Sequence, residues 1–201
     1  MIKGVIFDMD GVLIDARDWH YLALNQALEI FGISINYERH LEEFDGLPTR
    51  TKLNILSKEN NLPEILHPIV NEIKQDRTLR LAAANCFPLP NIISAVSYLS
   101  HMNLKIGVAT NSIRETTIAM LSYSQLIEYF DCIVTNSEIQ EPKPHPEIYI
   151  TACKQLGLKP AEVLVVEDNE NGIKAAKAAG CLVHPVDNPG EVHLDELMGY
   201  L

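Results

Sequence analysis

Apolar runs of strand type alternate with stretches of helical period over much of this chain. The runs lie at residues 2–7, 104–109, 132–135, 163–166 and 181–186. Such alternation is typical of a parallel sheet in which helices form the crossover connections between strands. The sequence therefore predicts an α/β fold with a Rossmann-like parallel sheet.

Residues 15–87 break the alternation because they show helical period and no run of strand type. The first predicted helical face comprises Trp19, Leu22, Ala23, Ala27, Ile30 and Phe31, followed by Gly32 as a C-terminal cap. The second comprises Ile65, Leu66, Ile69, Val70 and Ile73, with Pro68 at a helix start or a bend. We predict a helical cap domain at 15–87, inserted into an α/β core formed by 1–14 and 88–201.

The composition excludes some classes of partner. The chain has 201 residues, 47% of them hydrophobic, and a formal net charge of −11. It can bury a sizeable core, and without a basic run it does not suit nucleic acid or an acidic membrane surface. The cysteines have no metal-binding spacing, which is typical of reduced thiols: Cys86, Cys132, Cys153 and Cys181. Because no leader pattern or membrane-spanning run is present, we expect a cytoplasmic protein that is a monomer or a weak homodimer.

Two aspartates stand close together where the first predicted strand ends. In the stretch VIFDMDGVLID, Asp8 and Asp10 are separated by Met9 alone. Side chains alternate along an extended strand, so we expect both carboxylates to point the same way. Like charges in contact repel by about 4 kcal/mol at an effective dielectric constant near 20. A cation or a shared proton is therefore needed to hold the pair.

Polar side chains also follow two other predicted strands. Thr110, Asn111 and Ser112 follow the run 104–109, and Glu167 with Asp168 follow the run 163–166. Between them, the loop EPKPHPEIY carries a lysine among three prolines, which stiffen it: Lys143, Pro142, Pro144 and Pro146. Ligands of open parallel sheets bind beyond the carboxyl ends of the strands. We expect all these groups to converge on one spot.

The chemistry of this group suits a magnesium ion and a phosphate. Mg²⁺ prefers oxygen ligands with few carboxylates and several waters. The candidate ligands are Asp8, Asp10, Asp168 and, through water, Glu167. A phosphate would be neutralised by Mg²⁺ and Lys143 and would accept hydrogen bonds from Thr110 and Asn111. One aspartate could then attack phosphorus while its neighbour handles the proton of the leaving oxygen.

Four motifs in this order resemble those of the haloacid dehalogenase superfamily of aspartyl phosphotransferases, in particular its β-phosphoglucomutase-like phosphatases. They are FDMDGVLID, VATNS with Thr110, EPKPHPEIY with Lys143, and VVEDNENGIKAAKAAG. The resemblance covers nearly the whole chain. It implies that Asp8 is the nucleophile and forms an aspartyl phosphate, and that Asp10 is the general acid and then the general base. It also implies that Asp168 holds Mg²⁺ together with the Asp8 side chain and the Asp10 backbone carbonyl.

The sequence departs from the family pattern at two places. The fourth motif has Asn169 where the family usually has serine, and the cap loop DGLPTR is slightly longer than the mutase form. The cap candidates for substrate contact are His20, Arg50 and Lys74, and the alternative for each is a solvated surface group. Arg50 is the first choice for a distal phosphate or carboxylate because a guanidinium binds such groups in a bidentate manner.

Three functions are compatible with these residues. The first is a Mg²⁺-dependent phosphatase of a small phosphorylated metabolite, of sugar-phosphate or nucleotide type, and we predict this one. The second is a sugar-phosphate mutase, which in this family needs a cap lysine where this chain offers Asp76, Arg77 and Arg80. The third is a phosphorylation switch without enzymatic activity, similar to receiver domains. The large helical insert and the acid/base role implied for Asp10 argue against the switch.

Overall fold

A single parallel sheet forms the centre of the protein. The computed structural model describes residues 1–60 and 62–201, with the backbone alone at residue 60. The strands are β1 (Gly4–Phe7), β2 (Lys105–Thr110), β3 (Cys132–Thr135), β4 (Val163–Glu167) and β5 (Leu182–Pro185). They run parallel in the order β3-β2-β1-β4-β5. This arrangement confirms the predicted α/β fold, and each strand coincides with a predicted run to within one or two residues.

Helices connect and cover the strands. The α-helices are α1 (Arg17–Glu29), α2 (Tyr37–Arg39), α3 (Thr49–Asn60), α4 (His67–Asn85), α5 (Pro90–His101), α6 (Arg114–Tyr123), α7 (Glu147–Leu156), α8 (Glu170–Ala179) and α9 (Leu194–Met198). A π-helical segment, His40–Phe44, continues α2. Short 3₁₀ turns span Glu64–Leu66, Ile127–Tyr129, Asn136–Glu138, Pro160–Glu162 and Pro189–Glu191.

The two faces of the sheet are covered by different helices, as the pleat requires. Val5 and Phe7 of β1 belong to a cluster that includes α5, α6 and α9. Ile6, which points to the opposite face, belongs to a cluster that includes α7 and α8. A strand covered on both faces is apolar at every position, which explains why β1 reads as a continuous apolar run.

Residues 15–87 contain a third apolar cluster and, within the described part, helices but no strand, as predicted. The cluster comprises Leu24, Ala27, Leu28, Ile35, Phe44, Leu53, Leu56, Leu62 and Val70. Helix α1 packs along α4, and α4 also packs against α6 of the sheet layer. We retain 15–87 as the proposed bounds of a cap domain.

The apolar faces predicted for two cap helices, now α1 and α4, were wrong in detail. Leu22 and Ile30 are 43% and 60% exposed, whereas Leu24, Asn25 and Leu28 are buried. The side chain of Asn25 can be buried because it donates to Ile35 O at 3.0 Å and accepts from Ile35 N at 2.9 Å. The predicted buried face of α1 was displaced because it was derived from apolar residues alone. A polar residue that is buried with its hydrogen-bond partners, such as Asn25, cannot be recognised in this way.

Helix α4 and the turn before it, which contain the second predicted face, show a similar difference. Ile65 is 86% exposed and Ile69 is 42% exposed, while Val70 is buried. Helix α4 begins at His67 with Pro68 in its first turn, so the proline marks a helix start, one of the two predicted alternatives. Among the described helices, none is by itself long and apolar enough to cross a membrane. Segments Glu64–Asn85 and Pro90–His101 meet that test only as a pair, bent by 94°.

Candidate active site

A cavity of about 530 Å³ lies between the carboxyl ends of the strands and the cap. Its walls include residues of both parts, among them Asp8, Asp10, His20, Lys52, Lys143 and Asp168. The size is typical of a pocket for a small molecule. The sheet edge predicted to collect the polar groups therefore opens onto this cavity.

Asp8 follows β1 and forms one end of a buried ion-pair network. Its backbone N–H donates to Val166 O at 3.0 Å, which fixes it beside β4. Lys143 Nζ donates to Asp8 Oδ1 at 2.7 Å and to Glu167 Oε1 at 2.5 Å. Burial raises the pKa of Asp8 well above its usual range, and the ammonium of Lys143 opposes that rise. Burial alone would lower the pKa of Lys143, but these two carboxylates raise it above its usual value, so the lysine stays charged.

Asp10 belongs to a separate network that reaches into the cap. His20 Nε2 lies 3.0 Å from Asp10 Oδ1, and Lys74 Nζ lies 3.3 Å from His20 Nδ1. An ammonium that donates to Nδ1 leaves the ring proton on Nε2, where it is donated to Asp10. Ser112 Oγ donates to Asp10 Oδ2 at 2.7 Å, and Thr110 Oγ1 lies 3.5 Å from the same oxygen. The side chains of the two aspartates thus have different partners.

The backbone between the two aspartates explains this separation. Strand β1 ends at Phe7, so Asp8 and Asp10 lie beyond it and the expected strand alternation does not apply to them. The chain turns instead: Leu13 N and Ile14 N both donate to Met9 O at 3.0 Å, and Gly11 adopts φ +93°. The prediction that the two side chains point the same way was based on strand alternation. That reason was wrong, because neither aspartate lies on the strand.

The electrostatics of Asp10 favour its ionised form before substrate enters. Burial alone would raise its pKa, but His20 and Ser112 together lower it below the usual value. Burial lowers the pKa of His20, against the opposing effect of Asp10. A phosphate dianion placed beside Asp10 would raise its pKa, because like charges favour the protonated form. The carboxyl group can therefore take up a proton when substrate is bound.

Three carboxylates fit a divalent cation. One oxygen from each of Asp8, Glu167 and Asp168 lies within 4.8 Å of the others. Asp168 Oδ1 is buried and has no hydrogen-bond partner among the described residues. Burial raises the pKa of Asp168 to about 7, as expected of a carboxylate without a sufficient counter-charge. These hard oxygen donors, one of them unsatisfied, suit a metal of the Mg²⁺ type.

Glycines leave room for these carboxylates. A Cβ atom at Gly11 would lie 2.0 Å from Asp168 Oδ2, and one at Gly172 would lie 1.7 Å from Glu167 Oε1. The oxygens of Glu167 are already engaged, by Lys143, by Tyr149 OH at 2.7 Å and by Asn169 N at 3.0 Å. Asp8 and Asp168 are therefore the better candidates for direct metal ligands, with Glu167 holding Lys143 in place.

The structure brings the other predicted residues to this cavity in different ways. Asn111 Nδ2 donates to Gly46 O of the cap loop at 2.9 Å, and Lys143 N donates to Asn111 Oδ1 at 3.4 Å. Asn111 does not cap α6, which begins at Arg114. Arg50 is exposed in the first turn of α3 and lines the cavity. Lys74 is buried, so its alternative as a surface charge was wrong.

Sequence reasoning missed three contributors. Arg17 connects core and cap: its Nη2 lies 3.3 Å from Asp168 Oδ2 and its Nε lies 3.2 Å from Asp45 Oδ2. Ser112 follows Thr110 in the sequence, but the sequence alone indicates no role for it. Lys52, a buried lysine of α3 in the cavity wall, had not been noted. The position of Arg17 shortly after the motif FDMDGVLID could have indicated a role at the site. Nothing in the local sequence distinguishes Lys52 from a surface lysine.

The family model described as haloacid dehalogenase-like hydrolase matches residues 5–186. The chain belongs to this family. The match confirms the family resemblance and the predicted enzyme class, a haloacid-dehalogenase-type phosphatase. The match favours an enzyme over the receiver-like switch without enzymatic activity.

Named relatives of this haloacid dehalogenase-like hydrolase include phosphatases and a mutase. A phosphorylated carbohydrates phosphatase of Thermotoga maritima is 28% identical over 179 residues, 89% of this chain and 82% of that protein. A beta-phosphoglucomutase of Bacillus subtilis is 32% identical over 194 residues, 89% of this chain and 80% of that protein. The crystal structure of a beta-phosphoglucomutase from Clostridium difficile is similar in fold, with a TM-score of 0.87, 24% identity and coverage of 99% and 96% of the two chains.

Proposed function

We propose that this enzyme is a Mg²⁺-dependent phosphatase that hydrolyses a small phosphorylated metabolite of the sugar-phosphate class through an aspartyl phosphate on Asp8. The separation of the two aspartates carries the proposal. Asp8 lies against Lys143 in the acidic cluster, whereas Asp10 is held by His20 and Ser112 outside it. Two carboxylates with different partners are suited to different roles, one as nucleophile and one as acid and base. The name of the Thermotoga maritima relative supports the substrate class.

The reaction follows from these positions in two displacements. A carboxylate oxygen of Asp8 attacks phosphorus, the bond from phosphorus to the substrate oxygen breaks, and Asp10 gives its proton to that oxygen. Lys143 stabilises negative charge on the phosphoryl oxygens, and we assign Thr110 and Asn111 to hydrogen bonding of the same group. In the second displacement Asp10 takes a proton from water, which attacks phosphorus and releases phosphate and the free Asp8 carboxylate.

Asp8, Asp168 and the Asp10 backbone carbonyl would hold Mg²⁺, and the bound ion would neutralise the phosphoryl group and reduce its repulsion from Asp8. Lys143 keeps the Asp8 carboxylate in one orientation by donating to it at 2.7 Å, and Glu167 holds Lys143 in place by accepting from its Nζ at 2.5 Å. Arg17, which contacts both Asp168 and Asp45 of the cap loop, helps to hold the cap over the cavity.

A sugar-phosphate mutase is the second candidate, and one contact favours it. The sequence offered Asp76, Arg77 and Arg80 in place of a mutase lysine, but Lys74 of α4 lines the cavity with its Nζ 3.3 Å from His20 Nδ1, so the cap does supply a lysine there. The residues considered in its place lie on the outside: Arg80 pairs with Asp76 at 2.9 Å, and the Arg77 side chain is 41% exposed. The difference in the cap loop DGLPTR still favours hydrolysis.

A metabolite screen separates these candidates. We would measure phosphate release and sugar isomerisation with and without Mg²⁺ across sugar phosphates, polyol phosphates and nucleotides, including β-glucose phosphorylated on its anomeric carbon. A phosphatase releases phosphate from several sugar phosphates, and chelation of the metal abolishes the release. Isomerisation without net release would establish the mutase, and Mg²⁺-independent release would overturn the proposed metal role.

The role proposed for Asp10 predicts an effect that depends on the leaving group. In Asp10→Asn, the amide can still accept from His20 and donate to Ser112, so the local structure should be retained. For formation of the phosphoenzyme, we expect a loss of roughly a hundredfold or more with an alkyl phosphate, whose alkoxide needs a proton. The loss should be distinctly smaller with p-nitrophenyl phosphate, whose nitrophenolate leaves unaided. Rapid-quench kinetics measures this step separately from dephosphorylation.

The same variant tests whether the Asp10 side chain binds metal. We expect the Mg²⁺ affinity of Asp10→Asn to stay close to that of the wild type, because the backbone carbonyl is retained. Equal losses for both substrates, together with a large increase in the Mg²⁺ dissociation constant, would make Asp10 a side-chain ligand instead of a proton donor.

A further inference from the structure

Lys52 is a buried cation whose side chain forms no hydrogen bond or ion pair within the part of the chain that the structure describes. It lies in the first turn of α3, is 6% exposed and forms part of the cavity wall. Among the described residues, its Nζ makes no hydrogen bond and has no carboxylate oxygen within 4.0 Å. A buried charge without a partner destabilises the folded state, so such a group is expected to be neutralised by something that enters the cavity.

The charges of Asp45 and Asp10 favour the charged form of Lys52, but neither carboxylate forms an ion pair with it among the described residues. Asp45 is paired with Arg17, and Asp10 is hydrogen-bonded by His20 and Ser112. Lys74, from α4, lines the same cavity and is also buried. Burial lowers the pKa of Lys52 to about 8, and burial together with the charge of Lys52 lowers the pKa of Lys74 to about 7. At both lysines burial outweighs the effect of the nearby carboxylates, so an anion that enters this part of the cavity would be attracted to them.

The backbone adds to the positive potential at this place. Helix α3 is 12 residues long, and its first turn, with Thr49, Arg50 and Lys52, lines the cavity. The N-terminus of a helix carries partial positive charge and free N–H groups, both of which attract anions. The unpartnered lysine and the helix terminus thus favour the same kind of ligand.

We propose that Lys52 binds a second anionic group of the substrate, a carboxylate or a phosphate, while the phosphoryl group to be transferred lies at Asp8 and Lys143. This inference rests on the proposed phosphatase function and narrows its substrate to phosphate monoesters that carry another anionic group. A singly phosphorylated neutral sugar would leave the Lys52 ammonium without its counter-charge.

Matched substrates and a matched variant test the proposal. Lys52→Met removes the charge and keeps a long side chain, and Lys58→Met removes an exposed charge from the same helix outside the cavity. The substrate pairs are phosphoglycolate with ethyl phosphate, and a hexose bisphosphate with the corresponding hexose monophosphate. Wild-type enzyme should prefer the doubly anionic member of at least one pair, and the pair with the larger preference distinguishes a carboxylate from a phosphate.

The expected result is a selective loss. For the preferred doubly anionic substrate, Lys52→Met should lower kcat/KM by roughly thirtyfold or more, mainly through KM, because a buried charge pair is broken. For ethyl phosphate and the hexose monophosphate the change should stay within about threefold, since Lys52 has no group to bind there. Lys58→Met should behave as the wild type with every substrate. Equal losses within each pair, or no loss, would overturn the proposal.

Measurements of ligand binding and of thermal stability test the proposal without relying on turnover. In an Asp8→Asn background, calorimetric titration should show that Lys52→Met weakens binding of the doubly anionic ligands and not of their partners. The metabolite screen described above decides the phosphatase proposal, and this titration decides the role of Lys52 even if the wild type hydrolyses none of these four esters. The ligand-free Lys52→Met protein should unfold at the same or a higher temperature, because an uncompensated buried charge is removed. A lower unfolding temperature would mean that Lys52 stabilises the fold and would count against an anion site.

Discussion

Asp8→Asn should abolish turnover and leave the protein folded. An amide of the same size fits the buried position, but it cannot attack phosphorus, and it is a much weaker metal ligand than a carboxylate. Because the nucleophile has no substitute in a double displacement, we expect kcat to fall by at least about 10⁴-fold. Steady-state phosphate release with a sensitive assay, together with circular dichroism, measures the two parts of this prediction.

Asp15→Asn is the matched control for this variant. Asp15 belongs to the same motif but is exposed, and it does not line the cavity. Its substitution should leave activity within about twofold, as is usual for surface positions. Substantial activity in Asp8→Asn with unchanged dependence on Mg²⁺ would place the nucleophile elsewhere.

Lys143→Ala should affect both catalysis and stability. A positioned cation opposite developing negative charge contributes roughly 3 kcal/mol to the transition state, so kcat should fall by at least about a hundredfold. Lys143 also separates two buried carboxylates, Asp8 and Glu167, with Nζ–oxygen distances of 2.7 and 2.5 Å. Removing one partner of a buried ion pair typically costs about 3–5 kcal/mol of folding free energy. Denaturant unfolding and steady-state kinetics measure the two effects, and excess Mg²⁺ should restore part of the stability.

Lys105→Ala provides the comparison for Lys143. Lys105 pairs with Asp131 at the protein surface, at 2.7 Å, and both side chains are substantially exposed. Exposed ion pairs contribute about 0–1 kcal/mol, so this variant should remain active and nearly as stable as the wild type. If Lys143→Ala raises KM and leaves kcat unchanged, Lys143 only binds substrate.

Local sequence patterns were sufficient to predict the core of the fold. The central strands β1, β2 and β4 are short, largely apolar runs buried between two helical layers, and such runs are readily recognised in a sequence. The groups at the carboxyl ends of β1, β2 and β4 meet because parallel strands present these ends at one edge of the sheet. Asp8, Thr110 and Glu167 are therefore placed by topology that the sequence already indicated.

The contacts between cap and core could not be predicted in the same way. Arg17 and Asp168 are 151 positions apart, and His20 and Lys74 are 54 positions apart. The relevant fact is which cap residues face the cavity, and this depends on how α1, α3 and α4 pack against one another. The misassigned face of α1 shows the difficulty, because buried Asn25 reads as a surface residue in the sequence. Lys52 looks like any helix lysine until its burial is known.

The trapping of an aspartyl phosphate tests the central claim most directly. The enzyme would be mixed with Mg²⁺ and a sugar phosphate that it hydrolyses. The reaction would be quenched in acid within the first turnover, and the protein digested for peptide mass spectrometry. We predict a phosphoryl group on the peptide that contains Asp8, located at Asp8 by fragmentation and absent when the metal is chelated. A quenched enzyme that turns over substrate but carries no phosphoryl group, or carries it on another residue, would contradict the proposed mechanism.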